Sequence, residues 1–200
     1  MTTGPTSPTS PAKCSACDRP MNTPLVCDGC HRLYPADGLN HFELFGLAPT
    51  FDLDVALLRQ RYLHVSRGTH PDHQAGGDPQ TALHLSAQIN EAFRVLNDPQ
   101  LRADYLLELA GGPSAAADKA VPSEVLSATL RLREEIAEAK AGGDSAALER
   151  CRAEVEHRAA QALEQAAADA RRLPGAAADR ARLRATLNAL KYYQRLRAEF

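Results

Sequence analysis

No helix can run through the stretch Gly68-Thr69-His70-Pro71-Asp72-His73-Gln74. Pro71 fixes its own φ and disfavours helical geometry at His70, so a helix arriving from the N-terminal side must stop here and a new one must start beyond. Upstream, Val55, Leu58, Tyr62 and Val65 recur at helical spacing on one face. Asp52 is a good N-cap for that helix, which runs to about Arg67, with Gly68 marking its end. Downstream, Leu85, Ile89, Phe93 and Leu96 make a second apolar stripe within a helix from about Gln80 to Asn97. Two amphipathic helices joined by a proline-stiffened turn form a hairpin that presents an imidazole and a carboxylate at its tip. Arg59, Arg61 and Arg67 are expected on the polar side of the first helix. A basic rod ending in a rigid polar hook suits docking on an acidic partner, with the Asp72 carboxylate aimed at one cation.

Outward from the hairpin the pattern stays helical. A short helix fits His41–Phe45, stopped by Gly46 and Pro49. Asp98-Pro99 closes the long downstream helix and opens another that carries Leu101, Tyr105, Leu106 and Leu109, ended by Gly111-Gly112-Pro113. Residues 113–122, PSAAADKAVP, read as a linker. Ser123 can cap a helix to about Ala141, broken at Gly142-Gly143. Asp144 can cap the next, to about Leu173, and Pro174-Gly175 precedes a last helix. Three helices joined by short turns predict an antiparallel bundle over 123–200. No alternating strand pattern of useful length occurs outside the cysteine-containing segment, so the expected fold class is all-α.

Residues 1–12 are rich in Pro, Thr, Ser and Gly and are expected to be a disordered tail. Residues 13–36 hold Cys14-x-x-Cys17 and Cys27-x-x-Cys30, with few apolar groups to build a core. Such a segment needs a metal to hold it together. Four thiolates in two tight pairs make a closed tetrahedral site of the kind used for structural zinc, and iron also fits a tetrathiolate. A redox site is disfavoured because no βαβ pattern adjoins the pairs. Cys151 stands alone within a helix and reads as a small buried apolar residue. The two cysteine knuckles are the only internal repeat.

Composition narrows the function classes. The chain of 200 residues is 44% hydrophobic and 24% charged, ordinary for a globular protein, so nothing marks it as fibrous or wholly disordered. A net charge of −2 gives no general affinity for nucleic acid or anionic membranes, and no apolar run approaches the ~20 residues that span a bilayer. The opening MTTGPTSPTSPAK has neither an apolar stretch nor arginines. Neither a secretory nor a mitochondrial leader is therefore expected, and a reducing cytoplasm is the expected compartment.

His-Pro-Asp between two antiparallel helices, preceded by a basic helix, resembles the J domain, and the resemblance covers residues 38–112. It implies that His70, Pro71 and Asp72, with Arg59, Arg61 and Arg67, contact a DnaK-type ATPase and trigger its hydrolysis. The flanks are similar to the HscB family: Asn40-His41-Phe42-Glu43-Leu44-Phe45-Gly46-Leu47, Ser86-Ala87-Gln88-Ile89-Asn90-Glu91-Ala92-Phe93, Asp98-Pro99, Arg102-Ala103, Tyr105-Leu106-Leu107, and Leu132-Arg133-Glu134-Glu135-Ile136. That resemblance implies a tetracysteine module at 13–36, a J domain, and a C-terminal bundle that brings an IscU-type iron–sulfur scaffold to an HscA-like, DnaK-type ATPase. It implies no active site in the chain itself. Leu126, Leu130, Glu134, Glu138 and Tyr192 match the family's client surface, and the first four are successive i, i+4 steps along one helix. Ser127, Ala128 and Arg131 depart from the family, which often has Met-Glu and Glu there; Arg131 reverses a charge.

Plainer readings stand beside these. The tripeptide can be a simple turn, the arginines a solvated face, and Leu126 and Leu130 core residues of the bundle. A zinc-ribbon nucleic-acid binder, a redox enzyme on the CxxC pairs and a J protein for a different client are the rival functions.

Overall fold

The computed structural model describes residues 13–69 and 79–200. Among these the regular elements are seven helices: α1 (His41–Leu44), α2 (Val55–Gly68), α3 (Pro79–Asn97), α4 (Pro99–Leu109), α5 (Ser123–Gly142), α6 (Ser145–Ala170) and α7 (Ala177–Arg197). Two isolated antiparallel bridges, Lys13 with Pro20 and Val26 with Leu33, mark the cysteine module. The chain forms two compact units, Met1–Leu101 and Arg102–Phe200.

In the first unit, helix α1 starts at a capping box. The Asn40 side chain accepts from the N–H groups of Phe42 and Glu43, and the Glu43 carboxylate accepts from the Asn40 N–H. This turn drives Phe42 and Leu44 into the interior. Helix α2 is capped by Asp54, whose Oδ1 accepts from Ala56 and Leu57 at 2.9 and 3.0 Å. Asp52 has the same capping chemistry but lies in a bend just before, where Leu53 N–H bonds Phe51 carbonyl. Leu58 and Val65 are buried as expected, and Tyr62 stacks on Phe93 at 4.2 Å between ring centroids. Val55 does not join them. It is the first residue of the helix, at the edge of the apolar face, and stays 45% exposed. Helix α3 buries Leu85, Ile89, Ala92 and Leu96, and packs against both α1 and α2.

The cysteine module is seated on these helices. Leu25, Val26 and Thr23 are fully buried. Gly68 has no left-handed φ; its missing Cβ is what matters, since a Cβ there would meet Val26 Cγ1 at 2.6 Å. Gly46 is needed twice over, for its φ of +63° and because a Cβ would meet the Asn22 carbonyl at 2.6 Å. The module therefore shares apolar burial with its helices, beyond what metal binding alone contributes.

In the second unit α5, α6 and α7 form the three-helix bundle, with Leu132, Ile136, Cys151, Val155, Tyr193 and Leu196 as its central cluster. Asp144 caps α6, its Oδ1 accepting from Ala147 N–H at 2.8 Å. Ser123 is already inside α5, and Pro122 occupies the cap without a side-chain bond. Helix α4 buries Leu106 and Leu107, while Leu109 is left outside. Residues 113–122 are tied down from α7. The guanidinium of Arg184, 1% exposed, donates to the Pro113 carbonyl at 2.9 Å and pairs with Asp104. The Asn188 amide donates to the carbonyls of Asp118 and Ala120, both at 3.0 Å.

A buried guanidinium stripped of its carboxylate is costly, so Asp104→Ala should destabilise the bundle by about 3–5 kcal/mol in denaturant unfolding. Adding Arg184→Met should recover much of that loss. Equal stability of Asp104→Ala and the unaltered chain would show that the pair contributes nothing.

Candidate functional site

The two cysteine knuckles fold alike. Asp18 N–H bonds the Cys14 carbonyl and His31 N–H the Cys27 carbonyl, both at 2.9 Å. Each returning segment then closes with a bond from the first cysteine, Cys14 N–H to Arg19 and Cys27 N–H to Arg32. Asp18 and His31 both take left-handed φ, +56° and +58°, a conformation in which Asp and His are enriched among non-glycine residues. The spacing of the cysteines does not disclose that requirement on the residue after each CxxC, although the residue types there carry it.

The four Sγ atoms all lie within 4.8 Å of one another, and none is in a disulfide. Cys14 to Cys30 and Cys17 to Cys27 are each 3.5 Å. Four sulfurs at ~2.3 Å from a tetrahedral zinc stand about 3.8 Å apart, a spacing close to that of the set. The surroundings favour thiolates: Ala16 N–H points at Cys14 Sγ, Gly29 N–H at Cys27 Sγ, and Tyr34 Oη–H at Cys14 Sγ at 3.1 Å. The Tyr34 hydroxyl is the main reason the Cys14 thiol is lowered to about 6. At Cys17 the Arg19 amide pulls downward, but burial and the other three thiols outweigh it and push Cys17 up to about 12. Four thiols this close cannot all ionise unless a cation replaces the protons. These four cysteines can hold a metal ion. Cys151, by contrast, is buried in the bundle, and burial together with Glu135 raises its pKa.

The hook residues His70, Pro71 and Asp72 lie outside the described residues. The basic residues of α2 do not form one face. Arg59 and Arg67 are exposed and belong to the i, i+4 ridge Val55–Arg59–Leu63–Arg67, which is exposed along its whole length. Arg61 is half-buried on the other side, where its Nη1 lies by the turn at Gly46. Leu63 gives no signal in the sequence, because a leucine among polar residues has no period of its own.

On α5 the buried residues are Ala128, Thr129, Leu132, Ile136 and Ala139. At roughly 100° per residue, the stripe Leu126, Leu130, Glu134 and Glu138 falls on the opposite side. Leu126 is 43% and Leu130 58% exposed, so neither is a core residue of the bundle. Glu134 and Glu138 are exposed as well. Tyr192 is half-buried beneath the Arg195 guanidinium, while its neighbour Tyr193 takes the core position. Arg131 pairs with Glu135 at 3.7 Å, not with Glu134 of the stripe.

Comparison with known proteins bears on both units. The DnaJ domain model matches residues 40–105, and the model described as the HSCB C-terminal oligomerisation domain matches residues 121–200. A co-chaperone protein HscB homolog of Shewanella woodyi is 43% identical over 76 residues, which is 36% of this chain. The match spans less than half of that curated relative, 44% of its length. Among solved structures, chaperone HscB from Vibrio cholerae is 31% identical, with a TM-score of 0.65 over 80% of this chain and 94% of its own. Human co-chaperone protein HscB, 21% identical with a TM-score of 0.71 over 93% of this chain and 95% of its own, shares the fold. A J-type hairpin followed by this bundle, in a sequence alignable with nearly the whole of a bacterial HscB, belongs to the HscB family of J-domain co-chaperones.

Proposed function

We propose that this protein stimulates the ATPase of a DnaK-type, HscA-like chaperone and delivers to it an IscU-type iron–sulfur cluster scaffold, aiding cluster assembly and transfer in the cytoplasm. The observation that carries the reading is the exposure of Leu126 and Leu130 on the side of α5 away from its core. A helical bundle has no packing use for two neighbouring leucines there, whereas a partner protein does. Glu134 and Glu138 continue the stripe and give it an acidic end; Tyr192 supplies an aromatic on α7. Family membership supports the ATPase half of the reading, in which the His70-Pro71-Asp72 hook and the basic residues of α2 engage the partner. No Asp or Glu occurs between Val55 and Pro71, so nothing on α2 opposes an acidic surface. A different client is the second reading, favoured by Arg131, which reverses the charge that the family resemblance often implies there. We assign zinc to the four-cysteine centre in a structural role, since four thiolates leave no coordination position open for chemistry.

Three outcomes test these assignments. Around neutral pH Cys14 is already ionised, while Cys17 and Cys30, whose pKa values are raised, carry protons. Zinc uptake must displace at least those two protons, so its apparent affinity should rise by a factor of about a hundred or more per pH unit. Competition titration against a chromophoric chelator at several pH values measures this slope, and a flat profile excludes a tetrathiolate site. His70→Gln or Asp72→Asn should abolish ATPase stimulation while leaving the helical content and scaffold binding intact. Losing such a charge-assisted contact costs ~2–5 kcal/mol, or roughly a 30- to 5,000-fold loss of affinity. Normal stimulation by either variant would refute the J-domain role. Leu126→Ala with Leu130→Ala should weaken scaffold binding by ≥2 kcal/mol per anchor with an unchanged melting temperature. Unchanged binding would place the scaffold elsewhere or point to another client.

A further inference from the structure

Metal module and docking helix lie side by side in the first unit. Val26 closes on Gly68 at the end of α2, and Asp28 Oδ1 stands 3.0 Å from His64 Nε2, an ion pair when the imidazole is protonated. Asp28 Oδ2 accepts from both the backbone and the side-chain amide of Asn22, so this carboxylate is engaged by the module through one oxygen and by α2 through the other. Between the second knuckle and α2 runs a groove of about 680 Å³ with Val26 at its base, Gln60, Leu63 and Arg67 on the helix side, and His31 on the knuckle side. His31 is exposed, and its backbone is held by the knuckle bond to the Cys27 carbonyl at 2.9 Å. Leu63 is 41% exposed. The groove thus offers the Arg67 guanidinium, the His31 imidazole and the Gln60 amide with apolar surface between them; His64 also lines it and pairs with Asp28, and among the described residues no carboxylate belongs to its lining.

We propose that the cysteine module forms one wall of the ATPase-docking surface, and that this groove takes an acidic segment of the DnaK-type partner. The inference rests on the proposed function and extends it to residues outside the J-domain hairpin. Charge complementarity identifies the occupant: carboxylates of the segment meet Arg67, His31 and the Gln60 amide, and an apolar residue covers Leu63. A small anion would leave the apolar wall wet, whereas a peptide uses both. Continuity identifies the partner, because Leu63 and Arg67 belong at once to the groove and to the exposed ridge that begins at Val55 and Arg59. Metal binding acquires a second task here, since the Cys27–Cys30 turn fixes where His31 stands.

The test is ATPase stimulation by the full-length, zinc-loaded chain, titrated against the DnaK-type ATPase of the same organism at low and at physiological salt. His31→Glu should raise the concentration for half-maximal stimulation about tenfold at low salt, with the maximal rate kept and the difference shrinking as salt rises. Gln60→Glu, in the middle of a regular helix and remote from the metal ligands, should do the same. Zinc content and circular dichroism must be unchanged in each variant that is scored. Half-maximal concentrations that stay unaltered in both glutamate variants would overturn the proposal, while His70→Gln still abolishing stimulation would leave the J-domain reading standing. A change in oligomeric state without any change in stimulation would assign the groove to a second copy and likewise overturn it. Failure of the unaltered chain to stimulate would overturn both readings.

Discussion

The bundle depends on a guanidinium that has nowhere to go but inward. Arg184 is among the largest fully buried side chains of the protein, and a buried cation is tolerable only with a counter-charge beside it. Asp104 of α4 supplies that charge to Nη2 and the Pro113 carbonyl accepts from Nε, while Nη1 has no hydrogen-bond partner among the described residues; Asn188 one turn further along α7 holds the carbonyls of Asp118 and Ala120. The chain between α4 and α5 is thereby fixed to α7 by polar contacts that only one register satisfies. Apolar packing supplies most of the free energy, from Leu, Ile, Val and Ala in the absence of any Trp. The polar ties make the arrangement unique. Asp169 plays a similar part where α6 ends: it is wholly buried and meets Arg182 at 3.0 Å and Arg172 at 3.5 Å, while Arg182 also holds Asp179.

The first unit solves a different problem, that of a module too small to order itself. Two sources combine. The four sulfurs converge with N–H and O–H donors directed at them, and Leu25 and Val26 are buried, with Gly68 of α2 leaving room for the Val26 side chain and Gly46, in the turn after α1, for the Asn22 carbonyl. Neither source is independent of the other, because Val26 immediately precedes Cys27 in sequence. Metal binding and helix packing act on the same three residues, and loss of the ion should loosen the seat of the knuckle on α2.

Much of this is legible in the amino-acid sequence. Periodicity and breakers locate every helix to within a few residues, since Pro and Gly act locally and the apolar stripes of α2, α3 and the bundle helices are long. The tetracysteine set is legible for the same local reason. What escapes is tertiary. Asp52 and Asp54 have identical capping chemistry, and only the path of the chain decides between them. Val55 fits the apolar stripe by spacing but sits in the first turn. Arg59, Arg61 and Arg67 look equivalent in a basic helix, yet two positions along a helix is about 200° around it, and Arg61 faces inward. Gly68 reads as a helix stop, whereas its space is required by a residue forty-two positions upstream. The groove beside α2 needs two elements distant in sequence, so no local pattern announces it.

The position of the α5 stripe opposite the core has an evolutionary consequence. Residues that face away from the packed interior change recognition with little effect on stability, because substitutions that share no partners are close to independent. Ser127 and Arg131 are exposed, and Arg131 pairs with Glu135. A lineage can therefore exchange charges on this face step by step without passing through an unfolded ancestor.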